Sequence, residues 1–113
     1  MNKIKRSDHI QKILDKRNAF GNQYFTLVYL ENNAKEHQFA VLVGKKLGNA
    51  VVRNYLKRKY RQLIRNHISD EVIFIRYDIL IIPKIKSIDV EYAILEKQFK
   101  KIVVKLGELD VKK

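Results

Sequence analysis

No Asp or Glu occurs between Glu36 and Asp70, yet Lys45, Lys46, Arg53, Lys57, Arg58, Lys59, Arg61 and Arg65 all fall inside that gap. So many like charges tolerate a folded chain only if they point outward while other residues of the same segment anchor it. The spacing supplies the anchor. At about 100° per residue, Val52, Leu56, Tyr60, Leu63 and His67 cluster on one side of a helix. Arg53, Asn54, Lys57, Arg58, Arg61 and Arg65 cluster on roughly the opposite side. Asn49 precedes the run, and its side-chain oxygen suits the free amides of a first helical turn. Those amides and the helix dipole also suit a phosphate.

A basic helix face is often only solvated. Solvated faces usually mix signs and form i,i+4 pairs with acids, and this one has no acids. Arg dominates the stripe, and its planar fork matches phosphate and base edges better than an ammonium does. The whole chain carries net charge +12 in 113 residues, which bounds it to one domain with nucleic acid or another polyanion as partner. No apolar run approaches the roughly 20 residues of a membrane-spanning helix. Met1–Arg6 is basic but no apolar stretch follows it, so it does not read as a secretory signal. With no cysteine, disulfides, thiolate metal sites and Cys nucleophiles are excluded. A cytoplasmic location is expected.

Read in order, residues 1–6 form a basic arm. Ser7 caps a short helix from Asp8 to about Lys16, with Ile10, Ile13 and Leu14 as its apolar stripe. Gln23–Glu31 alternates and is rich in aromatic and β-branched residues, which predicts a strand. Gln38–Gly44 is a second strand, antiparallel to the first across a loop of hairpin length, with Phe39, Val41 and Val43 on one face. Tyr24, Phe25 and Tyr29 suit either a stacking platform for single-stranded RNA or the core, and core is the commoner fate of strand aromatics. The basic helix follows, from about Asn49 to His67. Asp78–Ile82 is a continuous apolar run, as in a strand covered on both faces. A last helix, capped by Ser87 or Asp89, carries Tyr92, Leu95, Phe99, Ile102, Val103 and Leu106, with Gly107 as its stop and residues 107–113 as a tail. The expected fold is α+β, a single compact two-layer domain in the order α-β-β-α-β-α. It becomes α-β-β-β-α-β-α if an extra short strand forms around Val72–Ile75.

The segment Lys45-Lys46-x-Gly48-Asn49-Ala50-Val51-x-Arg53-Asn54-x-x-Lys57-Arg58-x-x-Arg61 resembles the signature of the protein subunit of bacterial ribonuclease P. The family usually carries a further Arg after the Arg-Asn pair, where this chain has Tyr55. The resemblance runs from about Arg6 to Val104 and is specific at Lys45–Arg61. It implies a left-handed β-α-β crossover around the basic helix, against the usual right-handed preference. It implies that the catalytic RNA subunit docks on Lys45, Lys46, Asn49, Arg53, Asn54, Lys57, Arg58, Arg61 and Arg65. It also implies a cleft between the first helix and the sheet that takes the 5′ leader of precursor tRNA, with Ile10, Leu14, Thr26 and Val28 at the matching positions. The activity implied is endonucleolytic removal of that leader, with chemistry and Mg²⁺ carried by the RNA.

The residues themselves suggest no protein-borne catalytic centre. His9, His37 and His67 lie in different elements with no metal-ligand spacing. The close acidic sets, Asp70-Glu71 and Asp89–Glu91, sit at expected helix boundaries. Neither Gly44 nor Gly48 fits a nucleotide-binding fingerprint. No catalytic residue, metal ligand, protein-bound cofactor, membrane or small-molecule partner is therefore expected. Two other readings stand beside this one: a general RNA-binding module such as a ribosomal protein, and an enzyme that acts alone.

Overall fold

Strand alternation gives this chain a sheet with two apolar faces, and the helices are distributed between them. The computed structural model describes residues 2–69 and 73–111. In chain order the elements are β1 (Asn2–Lys3), α1 (Ser7–Lys16), β2 (Ala19–Gly21), β3 (Phe25–Glu31), β4 (Gln38–Val41), α2 (Ala50–His67), β5 (Tyr77–Pro83) and α3 (Tyr92–Val111). The sheet runs β1-β4-β5-β3-β2. β4 is parallel to both β1 and β5, while β3 is antiparallel to both β5 and β2.

The larger core lies between the sheet and α2 with α3. Phe25, Leu27, Phe39, Ile79 and Ile81 from the sheet meet Leu56, Tyr60, Leu63 and Ile64 from α2 and Leu95, Phe99, Ile102 and Leu106 from α3. Alternate strand residues turn to the other face, where Val28, Ala40 and Leu80 pack with Ile4 and Ile13 beneath α1. The α+β class holds. α1 adds cover on the side opposite α2 and α3, so part of the sheet is sandwiched.

β3 and β4 do not form a paired hairpin, as their loop length suggested. β5 lies between them, and Ile81 is in register with Leu27 on one side and Val41 on the other. The reason is in β5 itself: it is apolar on both faces, so the stable position for it is central. α2 thus becomes a crossover between the parallel neighbours β4 and β5. Two strands are added to the three expected, at Asn2–Lys3 and Ala19–Gly21. Ile73 to Arg76 carries no strand, and Val72 lies outside the described residues.

The ends also differ from expectation. Ser7 is the first helical residue, not the cap; Arg6 precedes it and makes no side-chain cap bond. α3 starts only at Tyr92, because Ser87 is buried in a 3₁₀ turn where its hydroxyl donates to the Lys84 carbonyl at 2.7 Å. α3 continues through Gly107 to Val111. A helical Gly costs about 1 kcal/mol relative to Ala, and packing of Leu106 and Leu109 on the core offsets that. Within the expected arm, Asn2–Lys3 pairs as β1 and Ile4 is buried. Met1, Lys112 and Lys113 lie outside the described residues, as do Asp70 and Glu71.

Candidate nucleic-acid interface

The turn into α2 sets the position of everything on that helix. Lys45–Leu47 forms a 3₁₀ turn and Gly48 follows with φ 151°, a conformation that side chains disfavour. A Cβ at Gly48 would lie 2.9 Å from the Cβ of Val52, so the site also lacks room for one. Asn49 then caps the helix, its Oδ1 accepting from the Val52 amide at 3.1 Å. The Asn49 side-chain oxygen is therefore engaged in the fold itself.

α2 is fixed by its inner face. Leu56, Tyr60, Leu63 and Ile64 are fully buried. The Tyr60 hydroxyl donates to the Tyr24 carbonyl at 3.3 Å, and burial raises its pKa well above the ordinary value. Lys59 belongs to this inner side too. It is buried, and its ammonium donates to the carbonyls of Ser87 at 3.3 Å and Val90 at 3.2 Å. One of the eight basic residues of the run is thus a strut to the loop before α3.

The others face outward. Asn54, Arg58 and Arg65 are exposed, while Arg53, Lys57 and Arg61 are half-buried. Val51, Asn54, Lys57, Arg58 and Arg61 line a shallow depression of about 550 Å³. Among the described residues, no carboxylate forms an ion pair with any of these side chains. The Nε atoms of Arg53 and Arg61 are shut from solvent and meet no acceptor among the described residues. Buried donors without partners are costly; the exposed parts of these guanidinium groups remain open to an anion over this face. Lys45 and Lys46 are exposed on the 3₁₀ turn that leads into the helix.

β1 extends the patch. Lys3 pairs in register with Phe39 and so faces the α2 side, while Ile4 turns to the opposite core. The charge of Arg61 lowers the Lys3 pKa most, followed by partial desolvation and the charges of Lys5, Arg65 and Lys57. The sequence reading missed Lys3. Its only sequence signal is an isolated Ile4 inside a basic run, which marks one strand-like alternation.

The four positions matched to a leader cleft separate. Leu14 lines a groove of about 450 Å³ with Val41, Leu42, Val43, Gly44, Lys57 and Ile82. Ile10 is half-buried on the same side of the sheet, and Thr26 is half-buried opposite Ile82. Val28 is buried under α1 and presents almost no surface. Lys57 joins the groove to the basic face, because it lines both.

The aromatic residues of β3 belong to the core. Phe25 meets Tyr60 and Phe99 at 5.6 Å, and Tyr29 stacks on Phe20 at 5.2 Å. The histidines are far apart in role. His9 Nε2 lies 2.6 Å from Asp78, which also accepts from Asn32. His37 is buried, with Nδ1 accepting from the Tyr77 amide and Nε2 facing the Ile73 carbonyl. His67 pairs with Glu96 at 2.9 Å. No three His, Cys, Asp or Glu converge on a metal-sized site among the described residues.

The Ribonuclease P family matches residues 1–107. The chain belongs to the ribonuclease P protein family. It is 32% identical over 100 residues to the ribonuclease P protein component of Mycoplasma capricolum subsp. capricolum, covering 88% of this chain and 91% of that one. It is 34% identical over 102 residues to the component of Mesoplasma florum, covering 90% and 92%. The fold is similar to that of the Staphylococcus aureus RNase P protein, with TM-score 0.74, 26% identity and 97% and 95% of the two chains covered. Family membership makes this chain the protein subunit of a ribonucleoprotein that processes tRNA, which gives it an RNA partner.

Proposed function

We propose that α2 docks the catalytic RNA subunit of ribonuclease P through Arg53, Asn54, Lys57, Arg58, Arg61 and Arg65, with Lys45, Lys46 and Lys3 extending the contact. The observation that carries this is the outward face of α2: cationic, without carboxylates, and held rigidly by a fully buried opposite face. Phosphate contacts there set orientation and release counterions. The groove beside Leu14, Leu42 and Ile82 holds nucleotides of the 5′ leader of precursor tRNA, and Lys57 sits where leader and RNA subunit meet. Of the other positions matched to the cleft, Ile10 and Thr26 flank it, and Val28 supports it from beneath. The protein positions substrate for endonucleolytic cleavage, and the RNA with Mg²⁺ performs the hydrolysis.

Titration of purified variants against the RNA subunit at several salt concentrations tests the docking face. Arg58→Ala and Arg61→Ala should each weaken binding, leave the melting curve nearly unchanged, and reduce the log–log salt slope by about 0.7 to 0.9 per lost phosphate contact. If both bind like the parent at every salt, α2 is not the docking surface. Cleavage of precursor tRNA should require the RNA subunit; cleavage by the protein with Mg²⁺ alone would place the chemistry in the protein.

A further inference from the structure

Tyr55 interrupts the basic run of α2, and its surroundings are unlike those of a solvated tyrosine. It is 44% exposed on the same helix that exposes Arg58 and Arg65. The Lys59 ammonium lies 5.2 Å from the ring centroid and is itself tied to two backbone carbonyls. One side of the ring is thus held by a fixed cation, while the exposed part of the ring remains open. Arg58, Gln62 and, from α3, Tyr92 complete a pocket of about 380 Å³ around it. Residues i, i+3, i+4 and i+7 form one ridge of a helix, so Tyr55, Arg58, Lys59 and Gln62 move as a unit. Arg58 also lines the basic depression on its other side.

We propose that this pocket takes an unpaired nucleobase of the RNA subunit, stacked on Tyr55 with its phosphate on Arg58 and its edge within reach of the Gln62 amide. The ring is pre-oriented, so stacking costs little ordering. The chemistry selects a base over an aliphatic side chain: a π-face, a guanidinium that shares the phosphate patch, and a two-way hydrogen-bonding amide. A stack on Tyr55 thereby adds a salt-insensitive contact beside the ionic ones. The inference rests on α2 being the RNA-docking face, and the test separates the two.

The chain has no Trp, so Tyr55→Trp creates a single reporter. RNA binding should quench its emission, with affinity close to the parent's. Tyr55→Ala should weaken binding by roughly five- to 150-fold, the range for one base–aromatic stack, with the salt slope unchanged. Tyr55→Phe should bind like the parent. Tyr55→Arg should increase the salt slope by about 0.7 to 0.9. Parent-like affinity of Tyr55→Ala with no quenching in Tyr55→Trp overturns the stack; so does a Tyr55→Phe as weak as Tyr55→Ala. In either case a weakened Arg61→Ala measured in parallel would show that the docking face itself survives.

Discussion

The two faces of the sheet are held very differently. On one, α2 and α3 both pack, and side chains such as Leu56, Tyr60, Phe99 and Leu106 are almost wholly removed from water. On the other, α1 alone covers a smaller core, and Ile10, Leu14, Leu30, Leu42 and Ile82 stay half-buried around it. The densely packed face backs the helix that presents the charges. Its dense packing fixes the spacing of the cations on the outer side of α2, as the proposed docking on RNA requires. The thinly covered face leaves the groove, where apolar surface remains available to a ligand. Cover is therefore unequal between the two faces, and the groove lies where burial is least complete.

The largest expected effects test that inequality directly. Leu56→Ala should destabilise by roughly 2 to 5 kcal/mol and Phe99→Ala by roughly 3 to 5, the usual ranges for full burial. Ile82→Ala removes a side chain that is only partly buried and should cost less, about 1 kcal/mol. Urea midpoints at a common slope would measure all three. An Ile82→Ala loss as large as that of Leu56→Ala would mean that the two faces are equally closed, and the groove would lose its rationale.

A smaller loss is expected from Gly48→Ala, at about 1 to 3 kcal/mol. It combines an unfavourable φ with the close approach to Val52. Because the turn aims α2, the variant should also weaken RNA binding without altering any cation. Parent-like melting would show that the turn relaxes easily and that the aim of α2 is set by its packed face alone.

Why α2 was legible and the sheet order was not follows from where the information sits. The helix is encoded locally, by a 3.6-residue apolar spacing and by Asn49 at its start. Strand alternation likewise separated Phe39, Val41 and Val43 from Ala40 and Leu42. Alternation says which face a residue takes, but not which strand lies beside it. The placement of β5 between β3 and β4 is a tertiary choice, decided by an apolar run that needed cover on both faces. Lys59 shows the same limit at one residue. It lies in an unbroken basic run, and only the loop carbonyls of Ser87 and Val90 turn it inward. Gly107 signalled a helix end, and the packing of Leu109 beyond it overrode the signal. β1 and β2 are too short to carry a period. The resemblance, not the apolar stripe, placed Leu14 at a cleft; Val28 shares its face with the half-buried Thr26 and Leu30, and only α1 lying over it buries it.

The smallest effect concerns β1 and the residue after it: Ile4 joins the thin core and Lys3 the charged patch. Arg61 and its neighbours lower the Lys3 pKa below the ordinary 10.5, so the charged form is less favourable in the folded chain than in the unfolded one. Between the folded value and 10.5 the unfolded state binds more protons, and stability rises with pH across that window. Below the window the repulsion is present in full. Lys3→Gln removes it, so at neutral pH and low salt the free protein should melt slightly higher. The gain should vanish as added salt screens charges beyond about 10 Å at 0.1 M. The same change should weaken RNA binding and reduce the salt slope, since a cation facing Arg61 is useful only to a polyanion. A variant that melts lower, or one that binds RNA with parent affinity and slope, would detach β1 from the docking face and leave it as cover for the α1 side alone.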